Sequence, residues 1–215
     1  MSSAPFTRAD AVRRGQRLAV ATIAYNSLEA VLSVGAGLFA GSIALVGFGL
    51  DSVLEVTSSL AGVWRLRADT THAERERSER LALRVIGTCF VLLAAYVFVD
   101  ALRALLLRKE PSDSPLGIAV AAGSLVVMPL LARAKRRVAA QLGSRALTAE
   151  ARQTEICTYL SAILLAGLSL NAAFGWWWAD PVAGLAMVPL IAWEGAEAVR
   201  GRTVCADCAA PLLFD

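Results

Sequence analysis

The sequence predicts an all-α membrane protein with six transmembrane helices and both termini in the cytoplasm. Of its 215 residues, 57% are hydrophobic, and the mean hydropathy of +0.58 is high for a soluble fold. Long stretches without charge approach the roughly 20 apolar residues that a helix needs to cross a bilayer. Lys and Arg cluster in the segments after every second span, which favours a cytoplasmic position for those segments.

The first two spans are predicted to form a hairpin. Residues 18–64 contain no basic residue, and these 47 residues exceed what one span can use. A turn at "FAGS", residues 39–42, divides them into helices at about 18–40 and 42–64. Residues 1–17 then form a cytoplasmic tail.

The other four spans are predicted at about 81–107, 115–133, 148–175 and 178–199. The segment "GWWWAD", residues 175–180, places tryptophans at an outer turn, where the membrane interface favours them. Of the 21 basic residues, only Arg103, Arg108 and Lys109 fall outside, and Lys135 is assigned to a basic inner loop at 133–151. The transmembrane domain therefore covers 18–199, followed by a cytoplasmic tail at 200–215.

Two carboxylates lie deep in the second span. Asp51 and Glu55 share one face of the helix with Ser58. At 1.5 Å per residue they lie about 21 and 15 Å from Arg65 at the inner boundary, near the bilayer centre. Placing an Asp there costs about 2.5–3.5 kcal/mol. Because the only basic residue well inside a predicted span is Arg103, near its outer end, the pair requires a bound cation or protonation.

The fifth span carries a second polar face, formed by Glu150, Gln153, Cys157 and Ser161, while Glu155 points away from it. Carboxylates four residues apart can converge on one divalent ion, and a thiolate on a facing helix adds a softer donor. Because these ligands bind metal when deprotonated, such a site can exchange the ion for protons. The alternative is that protonated acids only hydrogen-bond between packed helices.

These residues resemble the cation diffusion facilitator family, whose six-helix transmembrane domain binds metal between helices two and five. The segment "GSIALVGFGLDSVLEV" is similar to the helix-two signature and matches Asp51 and Glu55 to its ligands. The segment "SRALTAEARQTEICTYLSAILL" is similar to the helix-five signature and matches Gln153 and Cys157 to its ligands, with Glu150 as the preceding acid. The segment "WWWADPVAGLAM" resembles the family's turn into helix six, so the resemblance covers nearly all of the chain.

The sequence departs from the family pattern at two ligand positions. Gln153 stands where His or Asp is usual, and Cys157 stands where Asp is usual. A neutral amide is a weak donor and a thiolate is soft, so the predicted site is softer and less acidic than its relatives, and Glu150 or water could complete it. Asn26 and Glu29 share a face of the first helix, where they either line a cation path or pack as polar residues.

The resemblance implies a homodimeric secondary transporter, embedded in the lipid bilayer of a bacterial plasma membrane, that exports a divalent metal in exchange for protons. Zinc is the expected ion; cadmium, iron and manganese are the other candidates, and no organic cofactor is expected. The chain resembles a short branch of the family in which the cytoplasmic C-terminal domain is absent, since 15 residues follow Arg200. In that tail, Cys205 and Cys208 form a lone C-x-x-C that could capture metal.

Other classes of function are disfavoured. The sequence contains no Gly-rich phosphate loop, no H-E-x-x-H and no Ser with a plausible His base, so an enzyme is not expected. No basic segment with interleaved aromatics indicates nucleic-acid binding. The remaining alternative is a membrane scaffold or subunit that does not transport and whose polar helix faces only pack.

Overall fold

The computed structural model describes residues 8–67, 72–143 and 145–200. Its helices are α1 (Arg8–Ala40), α2 (Ile43–Arg67), α3 (His72–Leu106), α4 (Pro115–Leu142), α5 (Arg145–Phe174) and α6 (Ala179–Val199). No β-strand occurs within these ranges, and all six helices are long and apolar enough to cross a membrane. The predicted all-α class with six spanning helices is confirmed.

Three helices extend past the predicted spans at their basic ends. α1 begins at Arg8, ten residues before the predicted start, α3 begins at His72, nine residues before its predicted start, and α4 continues to Leu142, nine residues beyond the predicted end. The added turns are charged, so hydropathy does not detect them, but they are rich in Ala, Arg, Lys and Gln, which favour helix. Gly143 ends α4 in the left-handed conformation, with φ of 59°. The longer α4 includes Lys135, which was assigned to a loop.

Gly41 forms the predicted turn between α1 and α2, with φ of +68°. Next to it, the backbone N–H of Ser42 donates a 3.0 Å hydrogen bond to the carbonyl of Gly37. The two helices then pack very closely, since a Cβ built on Gly49 would lie 2.8 Å from the backbone nitrogen of Val34. α1 and α2 therefore form an antiparallel hairpin. Its close packing fixes which residues of α1 lie beside which residues of α2 along the helix axis.

α2 lies at the centre of the bundle, in contact with α1, α3, α5 and α6. Its apolar residues Ala44, Leu45 and Phe48 are fully buried. Among the described side chains of α2, four polar ones are buried as well: Asp51, Ser52, Glu55 and Ser59. Because neighbouring helices surround α2, these polar groups find their partners in protein rather than in lipid.

Asp180, near the start of α6, caps the first turn of α2. Its carboxylate accepts hydrogen bonds from Ser42 Oγ at 2.5 Å and from the backbone N–H of Ile43 at 3.0 Å. Ser42 Oγ also accepts from the N–H of Leu45 at 3.1 Å. A carboxylate at a helix N-terminus is stabilised by the unpaired amides and by the helix dipole. The cap fixes the N-terminal end of α2 against α6 and joins the segments "GSIAL" and "WWWADP".

Candidate metal centre

The polar faces of α2 and α5 meet in the interior of the bundle. Asp51 and Glu55 lie one helical turn apart on α2, with exposed fractions of 4% and 2%. Cys157 on α5 is 1% exposed and interacts electrostatically with both carboxyl groups. Gln153, one turn before Cys157, accepts a hydrogen bond at its Oε1 from Ser58 Oγ at 2.9 Å. These residues therefore belong to one polar region between the two helices.

The donor atoms of this region do not converge on one point. Across the part of the chain that the structure describes, no three His, Cys, Asp or Glu side chains are grouped closely enough to hold a metal ion. Glu55 Oε1 accepts a hydrogen bond from Thr154, and Gln153 is bonded to Ser58. Coordination by Asp51, Glu55, Gln153 and Cys157 stays a prediction, which requires these side chains to change rotamer.

Lys135 on α4 is a buried basic partner of Glu55. Its Nζ lies 3.9 Å from Glu55 Oε1 and donates a 2.9 Å hydrogen bond to Thr154 Oγ1. Thr154 Oγ1 in turn donates to Glu55 Oε1 at 2.7 Å. The expectation that no basic residue lies near the two carboxylates is wrong, because α4 continues through the predicted loop. Helical spacing contained the signal, since Lys135 continues the buried face of Ser124 and Met128.

Glu29 on α1 adds a third buried carboxyl group. Its Oε2 accepts a 2.7 Å hydrogen bond from Ser52 Oγ on α2, and its Oε1 accepts from Ser124 Oγ on α4. The hydroxyl oxygens of Ser124 and Tyr25 are 2.9 Å apart. Glu29 also interacts electrostatically with Asp51. The first helix therefore contributes an acid to the polar interior, joined to α2 and α4 by hydroxyl groups.

Asn26 lies one turn before Glu29 on α1 and is fully buried. Because α1 and α2 are antiparallel and Glu29 bonds to Ser52, Asn26 is level with Glu55, one turn after Ser52. Both amide atoms of Asn26 and Oε2 of Glu55 are buried without a hydrogen-bond partner among the described residues. A buried polar atom left unpaired costs about 1–3 kcal/mol. A further polar ligand bound at this level would therefore gain hydrogen bonds with Asn26 and Glu55.

Glu194 on α6 is a fourth acid in electrostatic range of the pair. It lies within range of electrostatic interaction with Asp51, with Glu55 and with Arg152 on α5. The guanidinium carbon of Arg152 lies 4.8 Å from the ring centre of Trp193, in cation–π geometry. Sequence position alone does not indicate this location, because Glu194 lies near the end of α6, where a long side chain can reach water.

Of the other acids of α5, Glu155 lies where helical spacing predicts. Glu155 pairs with the exposed Arg136, away from the polar interior. Glu150 is partly buried one turn before Thr154, whose hydroxyl lies 3.0 Å from the Glu150 carbonyl oxygen. Cys205 and Cys208 lie outside the described residues.

Known proteins match this chain along most of its length. A family model described as the cation efflux transmembrane domain matches residues 19–201. An uncharacterized transporter of Synechocystis is 25% identical over 79% of this chain and 56% of its own length. The cation-efflux pump FieF of Escherichia fergusonii is 25% identical over 86% of this chain and 64% of its own length. The manganese efflux system protein MneS of Bacillus subtilis is 24% identical over 87% of this chain and 67% of its own length. The chain thus spans about three fifths of the length of these relatives.

The region matched by the family model contains five complete helices and most of α1. Six apolar helices and bacterial relatives identify a multi-pass integral protein of the bacterial plasma membrane. The predicted resemblance is confirmed, and the chain belongs to the cation efflux family, the cation diffusion facilitators whose helix-two and helix-five signatures its sequence resembles.

Proposed function

We propose that this protein is a secondary transporter that exports divalent zinc in exchange for protons. The observation that carries the proposal is the burial of Asp51 and Glu55 beside Cys157 in the interior of a six-helix bundle. Membership of the cation efflux family supports the direction of transport, and two relatives are named for efflux. An acidic region inside a membrane protein is costly to maintain, which argues for a cationic substrate.

The strong donors that we assign to the ion are Asp51, Glu55 and Cys157. Two carboxylates with one thiolate suit zinc, which accepts both oxygen and sulfur ligands. Gln153 is the weaker fourth donor, through an oxygen that Ser58 must release. Manganese is the ion in the name of MneS, but it prefers oxygen donors, so Cys157 favours zinc over manganese in this chain. The same thiolate can also bind cadmium and iron, which we include as weaker or competing substrates.

Exchange for protons follows from the chemistry of these ligands. Carboxylates and thiolates bind zinc when deprotonated, so zinc binding releases protons and protonation releases zinc. We assign Asn26 and Glu29 on α1 and Glu150 on α5 to the cation path, on either side of the ligands. The unpaired amide of Asn26, level with Glu55, supports this assignment most directly.

We also propose that the transporter works as a homodimer, as the family that it resembles does. Large apolar side chains such as Val31, Leu38 and Phe39 are exposed on the bundle surface, where lipid or a second copy covers them. Cross-linking in native membranes, followed by denaturing electrophoresis, tests the dimer. Metal capture by Cys205 and Cys208 remains a separate prediction.

Transport by purified protein in proteoliposomes tests the proposed function. With a pH gradient imposed, we expect saturable zinc uptake that stops when a proton ionophore dissipates the gradient. Asp51→Asn should reduce uptake and zinc affinity at least about tenfold, since loss of even a supporting group costs that much at metal sites. Glu155→Gln is the matched control, because Glu155 lies on another face and pairs with Arg136 at the surface.

Two results would contradict the proposal in different ways. If the wild-type protein neither binds zinc, cadmium, iron or manganese nor moves them, the polar faces only pack and the protein is a scaffold. If transport occurs but Asp51→Asn leaves it unchanged, the protein is a transporter with its site elsewhere.

A further inference from the structure

The positive charge of Lys135 lies beside Glu55, in the position that a bound metal cation would take. Lys135 is fully buried on α4, with its ammonium group directed at Glu55 Oε1 and Thr154 Oγ1. The next residue, Arg136, is also basic and also pairs with a glutamate, but its partner is Glu155 of α5 and the pair lies at the surface. The two neighbours thus show the same type of ion pair in two environments, and only that of Lys135 lies inside the polar interior.

Burial of an ammonium group is unfavourable unless a carboxylate and hydrogen bonds replace its water. Lys135 meets this requirement through Glu55 and Thr154. Glu55 is also one of the two carboxylates that we assign to the transported ion. A divalent ion on Glu55 and an ammonium group 3.9 Å away would repel each other strongly, because the surrounding protein screens charge poorly. The two cations therefore compete for one carboxylate.

We propose that Lys135 is a tethered counter-ion of Glu55, and that a divalent metal ion binds at Asp51 and Glu55 only when the ammonium group moves away. This inference rests on the proposed function, whose ion site it describes further. The event is a displacement of the side-chain charge on a flexible four-carbon stem. Glu150, one turn before Thr154 on α5, carries the next carboxylate on that face toward which the ammonium group can swing.

Competition with Lys135 also selects for ion charge. The lysine neutralises one negative charge, whereas Asp51 and Glu55 together carry two when both are ionised. A divalent ion replaces the ammonium group and neutralises both carboxylates, but a monovalent ion gains nothing over the lysine already present. Return of Lys135 to Glu55 then assists release of the metal on the other side of the membrane.

Zinc binding and transport by the Lys135→Met variant test the proposal. We expect equilibrium zinc affinity, measured by calorimetry on the full chain in detergent, to increase at least about tenfold, because the competing charge is gone. In proteoliposomes the KM for zinc should fall. The maximal rate should fall as well, because Lys135 no longer returns to Glu55 to help release the metal. Arg136→Met is the matched control and should change affinity less than about twofold, as an exposed ion pair contributes little.

A purely structural role for Lys135 predicts the opposite result, with affinity unchanged or weakened, and this result would overturn the proposal. Wild-type protein that binds no zinc at all would instead refute the proposed function. If Lys135→Met does not fold, Thr154→Val serves in its place, because it removes the hydroxyl that holds the ammonium group at Glu55. Thr154→Val should tighten zinc binding about threefold or more; equal or weaker binding would likewise overturn the proposal.

Discussion

Ser42, at the start of α2, donates a 2.5 Å hydrogen bond to Asp180, which lies 138 residues later in the chain. The bond is buried and is reinforced by the N–H of Ile43 on the same carboxylate. It connects the helix that carries Asp51 and Glu55 to α6, which carries Glu194. The position of the polar interior along the bundle therefore depends on a contact near the end of the helices.

Asp180→Ala should lower the free energy of unfolding by about 1–2 kcal/mol, because it removes a helix cap and takes away the acceptor of the buried Ser42 O–H. Thermal unfolding in detergent measures the effect. Glu110→Ala, in the exposed loop between α3 and α4, is the control that should leave stability unchanged. Equal stabilities of the Asp180 and Glu110 variants would show that the cap does not hold the bundle together.

Cys157→Asp should shift ion preference from soft to hard cations. Replacing the buried thiol by a carboxylate removes the only soft donor among the assigned ligands. We expect the ratio of cadmium to manganese affinity, measured by competition calorimetry, to fall at least about tenfold. Cys89→Ser, on the exposed face of α3, should leave the ratio unchanged. A ratio that does not move in Cys157→Asp would remove Cys157 from the ligand set.

Gln153→His should increase zinc affinity by at least about tenfold, because an imidazole nitrogen is a far better zinc ligand than an amide oxygen. The variant also frees Ser58 from its bond to the amide. Calorimetry with zinc gives the affinity, and Gln141→His, at the exposed end of α4, controls for adventitious binding by an added histidine. If both variants bind zinc like the wild type, position 153 does not face the ion.

Asn26→Leu should stabilise the protein while impairing transport. Both amide atoms of Asn26 are buried without partners among the described residues, so an apolar side chain of similar size avoids a cost of about 1–3 kcal/mol. If the amide lines the cation path, the same change slows zinc uptake in proteoliposomes. Thr22→Val is the control, because among the described residues the Thr22 hydroxyl bonds only within its own helix, to the Leu18 carbonyl. Loss of stability in Asn26→Leu would contradict this account.

Hydropathy and helical spacing sufficed to predict much of this architecture. Charge-free stretches predicted six spans, and Gly41 within "FAGS" predicted the turn after α1, as the structure confirms. Spacing also placed Glu155 away from the polar face of α5, where it pairs with Arg136. These predictions succeeded because they depend on the local chain alone: side-chain direction repeats with the helix, and apolar length follows bilayer thickness.

The positions of Lys135 and Glu194 could not be predicted from local sequence patterns. A basic residue next to Arg136 and Arg137 resembles loop sequence, and no single-helix pattern reveals that α4 continues and turns Lys135 toward Glu55. Glu194 near the end of α6 looks accessible to water, yet it interacts with the carboxylates of α2. Both assignments depend on which helix lies opposite, which is a property of packing.

The sequence by itself determined that this chain is a six-helix membrane protein with two carboxylates in the second span, because burial of charge and apolar length are encoded residue by residue. Only the tertiary structure decided which side chains surround those carboxylates. Packing of α2 against α1, α5 and α6, with α4 packed on α1 and α5, brings Glu29, Lys135 and Thr154 to Asp51 and Glu55. The strength of an ionic interaction depends on distance and burial, and both are set by the fold.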